Sequence, residues 1–91
     1  MTGAGRVTIG VDVGTSGCKA VVLASGGEVL HTANGTYPTR RGLDGEVTQR
    51  PDDWLEAVRS VLTECAGAAG QRTVAGLSIT SPAHAAVLCD A

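Results

Sequence analysis

Ile9-Gly10-Val11-Asp12-Val13-Gly14-Thr15-Ser16-Gly17-Cys18-Lys19 is the stretch on which the reading of this chain turns. Before the turn, Val7, Ile9, Val11 and Val13 alternate with Thr8, Gly10 and Asp12. A period of two with Val and Ile enriched is the pattern of a strand with one buried face. Gly14-Thr15-Ser16-Gly17 interrupts it as a turn. Lys19 to Leu23 is a second β-prone run, so a strand, not a helix, follows the turn.

Further out, Ser25-Gly26-Gly27-Glu28 is another turn signal, and Val29 to Tyr37 reads as a third strand. Three strands joined by two short turns predict an antiparallel meander. Pro38 to Gln49 is polar, carries Gly42 and Gly45 without a period, and reads as a loop. Pro51 stands where a helix can begin, because its missing N–H costs no internal bond in the first turn. Asp52 and Asp53 beside it oppose the helix dipole favourably. Leu55, Val58, Leu62 and Cys65, with Trp54, Val61 and Ala69, recur at helical spacing, and Gly67 and Gly70 weaken and end the helix. Val74 to Thr80 alternates again, with Ala75, Leu77 and Ile79 on one side. Ser81-Pro82 breaks that run, and Ala85 to Cys89 reads as a further strand. The predicted order is βββ, α, β, β.

At 91 residues the chain is one small domain at most. Hydrophobic residues make up 43%, enough for a core, but the aromatics are Tyr37 and Trp54 alone. A core of small aliphatic side chains buries less area per residue than one with rings, so the piece is expected to pack against something further. The chain ends just after a strand with no closing helix, which reads as a cut inside a domain. The net charge of −2 and the scattered basic residues exclude general nucleic-acid backbone binding, and Arg40-Arg41 reads as a solvated pair. Cys18, Cys65 and Cys89 are odd in number and form no CxxC, so neither a disulfide framework nor a zinc site is indicated. No signal peptide or membrane-length apolar run is present, and the expected compartment is the cytoplasm, where free thiols persist.

The turn itself offers a definite chemistry. Asp12 sits on the strand face otherwise occupied by Thr8 and Gly10, where an acid is costly to bury unless a partner such as a hydrated divalent cation supplies the charge. Gly14 and Gly17 permit close approach of backbone amides to a ligand. Thr15 and Ser16 add hydroxyls and Lys19 a positive charge, a set suited to phosphate oxygens, while the acid suits Mg²⁺. By itself such a turn reads equally as a tight hairpin with an exposed acid. GxGxxG and GxxxxGK[ST] are both absent, which excludes the Rossmann and P-loop solutions.

The stretch from Ile9 to Lys19 resembles the first phosphate motif of the actin-like, ribonuclease H-like ATPases, and within them the FGGY carbohydrate kinases, particularly the xylulokinase-like branch. Gly27-Glu28-Val29 is similar to that family's second hairpin. Gly45-Glu46-Val47-Thr48-Gln49-Arg50-Pro51-Asp52-Asp53-Trp54 resembles its lead into the first helix. Gly76-Leu77-Ser78-Ile79-Thr80-Ser81-Pro82-Ala83-His84 resembles its substrate-side strand and loop. Four segments in order, from Val7 onward, are far more specific than any one of them.

The resemblance implies an α/β, ribonuclease H-like (actin-like ATPase) fold, with residues 1–91 the incomplete N-terminal part of the first kinase domain. It implies ATP-dependent phosphorylation of a sugar or polyol hydroxyl, with a pentulose such as xylulose the leading candidate. It assigns Asp12 to catalysis and to Mg²⁺ through water, Gly14, Thr15, Ser16 and Lys19 to the phosphates of ATP, and Ala83 and His84 to the sugar. Ala83 stands where xylulokinases carry Met and Pro82 where they carry Gln, so the sugar's identity does not carry over. Trp54 reads as a helix-packing residue. The family's general base is an Asp far downstream, so the isolated chain is expected to be inactive. The partners implied are a small-molecule sugar, with neither nucleic acid nor membrane, and room for a homodimer of the full-length protein. A nucleotide-switched assembly or chaperone protein of the same superfamily, and an inactive truncated product, are the competing expectations.

Overall fold

The structure, a computed structural model, describes residues 5–45 and 47–81. Within them the predicted meander is present: β1 (Arg6–Val13), β2 (Gly17–Ala24) and β3 (Val29–Thr36). β1 pairs antiparallel with β2, and β2 antiparallel with β3. Gly27 takes φ 92 in the second turn, a left-handed conformation that a side chain would strain. Gly14 and Gly17 have no such φ among the positive-φ glycines of the chain.

The segment read as a loop contains a small hairpin of its own, β4 (Arg40–Arg41) paired with β5 (Val47–Thr48). Strands of two residues are too short to show a period, which is why the sequence pattern passes over them. Both arginines are exposed, and Arg40 lies 3.7 Å from the Asp53 carboxylate at the start of the helix.

The helix α1 runs Pro51–Ala69 with Pro at its first turn and Asp52 and Asp53 beside it. It continues through Gly67 and stops at Gly70, whose φ of 63 turns the chain out of the helix. Its buried stripe is Ala57, Val61, Cys65 and Ala69, flanked by Trp54, Val58 and Leu62. Leu55, expected on the core face, is 68% exposed instead. Ala57 takes the inward position because the contact there is tight: a Cβ on Gly35 would lie 3.3 Å from the Ala57 Cβ. The helix packs against β1, β2 and β3. Val7, Val22, Val61 and Cys65 are fully buried between the layers, and each buried valine contributes about 2 kcal/mol of transfer free energy. A 2.6 Å hydrogen bond between the His31 ring and Glu64 joins β3 to the helix at the surface.

β6 (Thr73–Thr80) then returns parallel to β1, giving the sheet order β3-β2-β1-β6. Ile9 and Val11 are buried, yet their register partners Leu77 and Ile79 on β6 are 53% and 54% exposed. The helix packs on the first three strands, while Val74, Leu77 and Ile79 on β6 are exposed. The expected strand from Ala85 to Cys89 lies outside the described residues.

Cys18 and Cys65 are buried free thiols on the two sides of this core. Burial pushes both above their ordinary value of 9.0, and the Glu64 carboxylate raises Cys65 further. A thiol harder to ionise in the folded than in the unfolded chain leaves stability intact below the ordinary value. It lowers stability as pH climbs from that value toward the raised native one, because only the unfolded chain releases the proton there. Urea midpoints are therefore expected to hold level from pH 7 to 8 and fall above pH 9. A Cys18→Ala, Cys65→Ala double variant is expected to show a shallower fall, and an identical alkaline slope would refute this origin.

Candidate functional site

Asp12 lies one residue from the end of β1, on the face of the sheet away from the helix. Its neighbours across the ladders are Lys19 on β2 and Thr80 on β6. Period-two alternation places these three side chains together where the parallel strands β1 and β6 end. The carboxyl ends of parallel strands are the usual edge for ligands in open α/β sheets.

The Asp12 side chain is exposed rather than buried, so the sequence argument that burial obliges it to find a cation is corrected. The Thr80 hydroxyl donates to Asp12 Oδ1 at 3.1 Å. Among the described residues no charged group pairs with Asp12 within 4 Å, Lys19 included, so the acid and the ammonium stand side by side with their charges available. Two hollows flank them. One, of about 250 Å³, is lined by Gly10, Asp12, Lys19, Val21, Ser78 and Thr80. The other, of about 260 Å³, lies over Ser16, Gly17, Asn34 and Thr36 and again touches Asp12 and Lys19.

The turn between β1 and β2 borders the second hollow. Gly14 N–H donates to Gly17 O at 2.8 Å, closing it. Thr15 and Ser16 are exposed at its tip. Gly17 is needed for a reason the sequence does not show: a Cβ there would lie 2.5 Å from the Gly35 carbonyl oxygen on β3. The expected ligand access therefore shares this glycine with a close approach of two strands.

Three side chains outside the predicted set hold this turn. The Tyr37 hydroxyl is hydrogen-bonded to the carbonyls of Gly14 and Gly17. Gln49 Nε2 donates to Thr15 O at 2.7 Å, and Trp54 Nε1 donates to Gln49 Oε1 at 3.0 Å. Trp54 thus packs on the core, as expected, and also anchors a hydrogen bond. Burial, followed by the nearby Cys18 and Asp12, pushes the Tyr37 phenol up, so it remains a protonated donor. Thr80, Tyr37 and Gln49 are separated in sequence from their partners by 68, 23 and 34 residues, beyond the reach of local spacing.

The donor set suits one hydrated hard cation. Among the described residues no three His, Cys, Asp or Glu side chains gather as a metal cage. A single exposed carboxylate beside hydroxyls is what Mg²⁺ uses when waters and phosphate oxygens complete its shell. Ala83 and His84, expected at the sugar, lie outside the described residues.

A family model for the N-terminal domain of the FGGY family of carbohydrate kinases matches residues 7–91. The chain belongs to the FGGY family. It is 37% identical over 84 residues to a xylulose kinase of Klebsiella pneumoniae, covering 90% of this FGGY chain and 17% of that protein. Its structure superposes on a xylulose kinase from Rhodospirillum rubrum with a TM-score of 0.76 at 25% identity, over 86% of this chain and 16% of that one. A gluconate kinase from Lactobacillus acidophilus gives a TM-score of 0.78 at 23% identity, over 86% and 16% respectively. The chain thus spans about a sixth of the length of the relatives it matches. The fold of this FGGY chain is the ribonuclease H-like, actin-like ATPase fold, represented here by its mixed sheet and first helix. No helix among the described residues is long and apolar enough to cross a membrane.

Proposed function

We propose that this chain is the first part of a kinase that transfers the γ-phosphoryl group of ATP to a hydroxyl of a sugar, with a pentulose such as xylulose as the leading substrate. The observation that carries the reading is the juxtaposition at the strand ends: Asp12 and Lys19 as cross-strand partners, between two hollows and beside the Thr15-Ser16 tip. Family membership and the xylulose kinase relatives supply the reaction class. The share of those relatives covered, and the uncovered apolar side of β6, support a longer protein whose remainder packs on that strand.

In this reading Asp12 holds Mg²⁺ through water, with Thr80 fixing the carboxylate by its hydroxyl. The cation would supply neutralising charge to the phosphate oxygens. The turn from Gly14 to Ser16 contributes amides and hydroxyls to those oxygens, and Lys19 contributes a cation on the neighbouring strand. Such a site works by positioning and charge stabilisation rather than by covalent chemistry. The sugar contacts are assigned in this reading to Ala83 and His84, and the hydroxyl proton to a base outside residues 1–91. The net charge of −2 and the buried free thiols fit a cytoplasmic enzyme that acts on a small molecule.

The test is a panel of ketopentoses, aldoses, sugar acids and polyols with the full-length protein and Mg-ATP, following ADP release. Sugar-dependent ADP formation greatest with a pentulose is expected. No response to any sugar, with filament formation on adding ATP, would replace this reading by that of a nucleotide-switched assembly protein.

A further inference from the structure

We propose that Gln49, oriented by Trp54 and assisted by Tyr37, is a positioning residue that presets the turn from Gly14 to Gly17 for the phosphates of the nucleotide. The inference rests on reading that turn as the phosphate site. All four carbonyls of the turn bond inward. The single Tyr37 hydroxyl proton is shared between Gly14 O and Gly17 O, Thr15 O accepts from Gln49 Nε2, Ser16 O from Tyr37 N–H, and Gly17 O also from Gly14 N–H. Among the described residues, the N–H groups of Thr15 and Ser16 have no acceptor. A turn with every carbonyl engaged by the body and its two middle amides unengaged has the polarity that an anion requires. If one carbonyl turned outward instead, its negative end would oppose a phosphate oxygen.

Gln49 is the member whose orientation is set by chemistry. An indole N–H can only donate, so Trp54 Nε1 obliges the Gln49 amide to present its oxygen there. The NH₂ end must then face Thr15 O and Thr39 Oγ1, at 2.7 and 2.9 Å, where both protons are used. The Trp54 ring meets Tyr37 edge-on at 6.4 Å, so the two supports of the turn brace each other on the helix.

Gln49→Glu separates positioning from folding. The variant keeps the size of the side chain and an acceptor for Trp54, but an ionised carboxylate cannot donate to Thr15 O. In the full-length protein at pH 8, Mg-ADP binding measured by calorimetry and the KM for ATP are expected to weaken about tenfold, the effect of losing one hydrogen bond. The KM for the sugar is expected to stay unchanged. Nucleotide affinity equal to wild type would overturn the proposal, as would a rise in sugar KM in step with that for ATP. Should Gln49→Glu fail to fold, Tyr37→Phe decides: weaker nucleotide binding with an unchanged sugar KM supports the proposal, and unchanged nucleotide binding overturns it. Wild-type protein that binds no Mg-ADP would overturn the phosphate-site reading itself, whereas wild-type binding shared equally by the variants overturns this inference alone.

Discussion

Asp12→Asn in the full-length protein is expected to lower sugar-dependent ADP formation by at least about a hundredfold, the scale seen when one preorganised charge-stabilising group is removed. The substitution keeps an oxygen to accept from Thr80 Oγ1, so the local hydrogen bond survives and only the charge is lost. Asp12 is exposed and pairs with no cation among the described residues. The melting temperature is therefore expected to hold, since exposed substitutions outside a bonded network cost no more than about 0.5 kcal/mol. The drop should be partly offset by raising Mg²⁺, because a weakened ligand is compensated by mass action. Near-normal activity in Asp12→Asn would remove this carboxylate from the mechanism. A collapse of the fold would instead assign it a structural role that its exposure does not predict.

The second large effect falls on stability. Gly17→Ala places a methyl group 2.5 Å from the Gly35 carbonyl oxygen. That oxygen is backbone, so it cannot swing aside as the end of a side chain would, and β2 and β3 must separate where the turn enters the sheet. The expected cost is about 3 kcal/mol, at the upper end of overpacking effects, read as a lower urea midpoint. Gly35→Ala should cost less, because its Cβ would meet the Cys18 sulfur at 3.2 Å and Ala57 at 3.3 Å, gaps closed by a shift of a few tenths of an ångström. Gly26→Ala should be close to neutral, with nothing within 4 Å of its Cβ and no left-handed φ. A reversed order, with Gly26→Ala the most damaging, would show that backbone freedom and not strand proximity governs these positions.

The alternation of Val7, Ile9 and Val11 around Thr8, Gly10 and Asp12 is a local signal, and so are the Gly26-Gly27 turn and the Pro51 start. Each depends on neighbours within a few residues. For that reason β1, β2, β3, α1 and β6 could be read in order from the chain alone, and with them the placement of Asp12 beside a glycine-rich turn. The helical stripe was legible in spacing but not in its edge. Leu55 and Ala57 both fit a helical repeat, and only the close approach of Gly35 selects the alanine for the inner face.

What the sequence determined by itself is therefore the order of β1, β2, β3, α1 and β6, the family resemblance and the candidates for a phosphate and a cation. The tertiary structure decided how those residues are held. β6 returns parallel to β1 and brings Thr80 against Asp12 across 68 positions of sequence. The segment read as featureless loop folds back so that Gln49 reaches Thr15, and the end of the third strand delivers the Tyr37 hydroxyl to the carbonyls of the turn. Hydrogen bonds between groups this far apart leave no periodic trace, because their geometry arises only once the sheet, the hairpin and the helix have packed together.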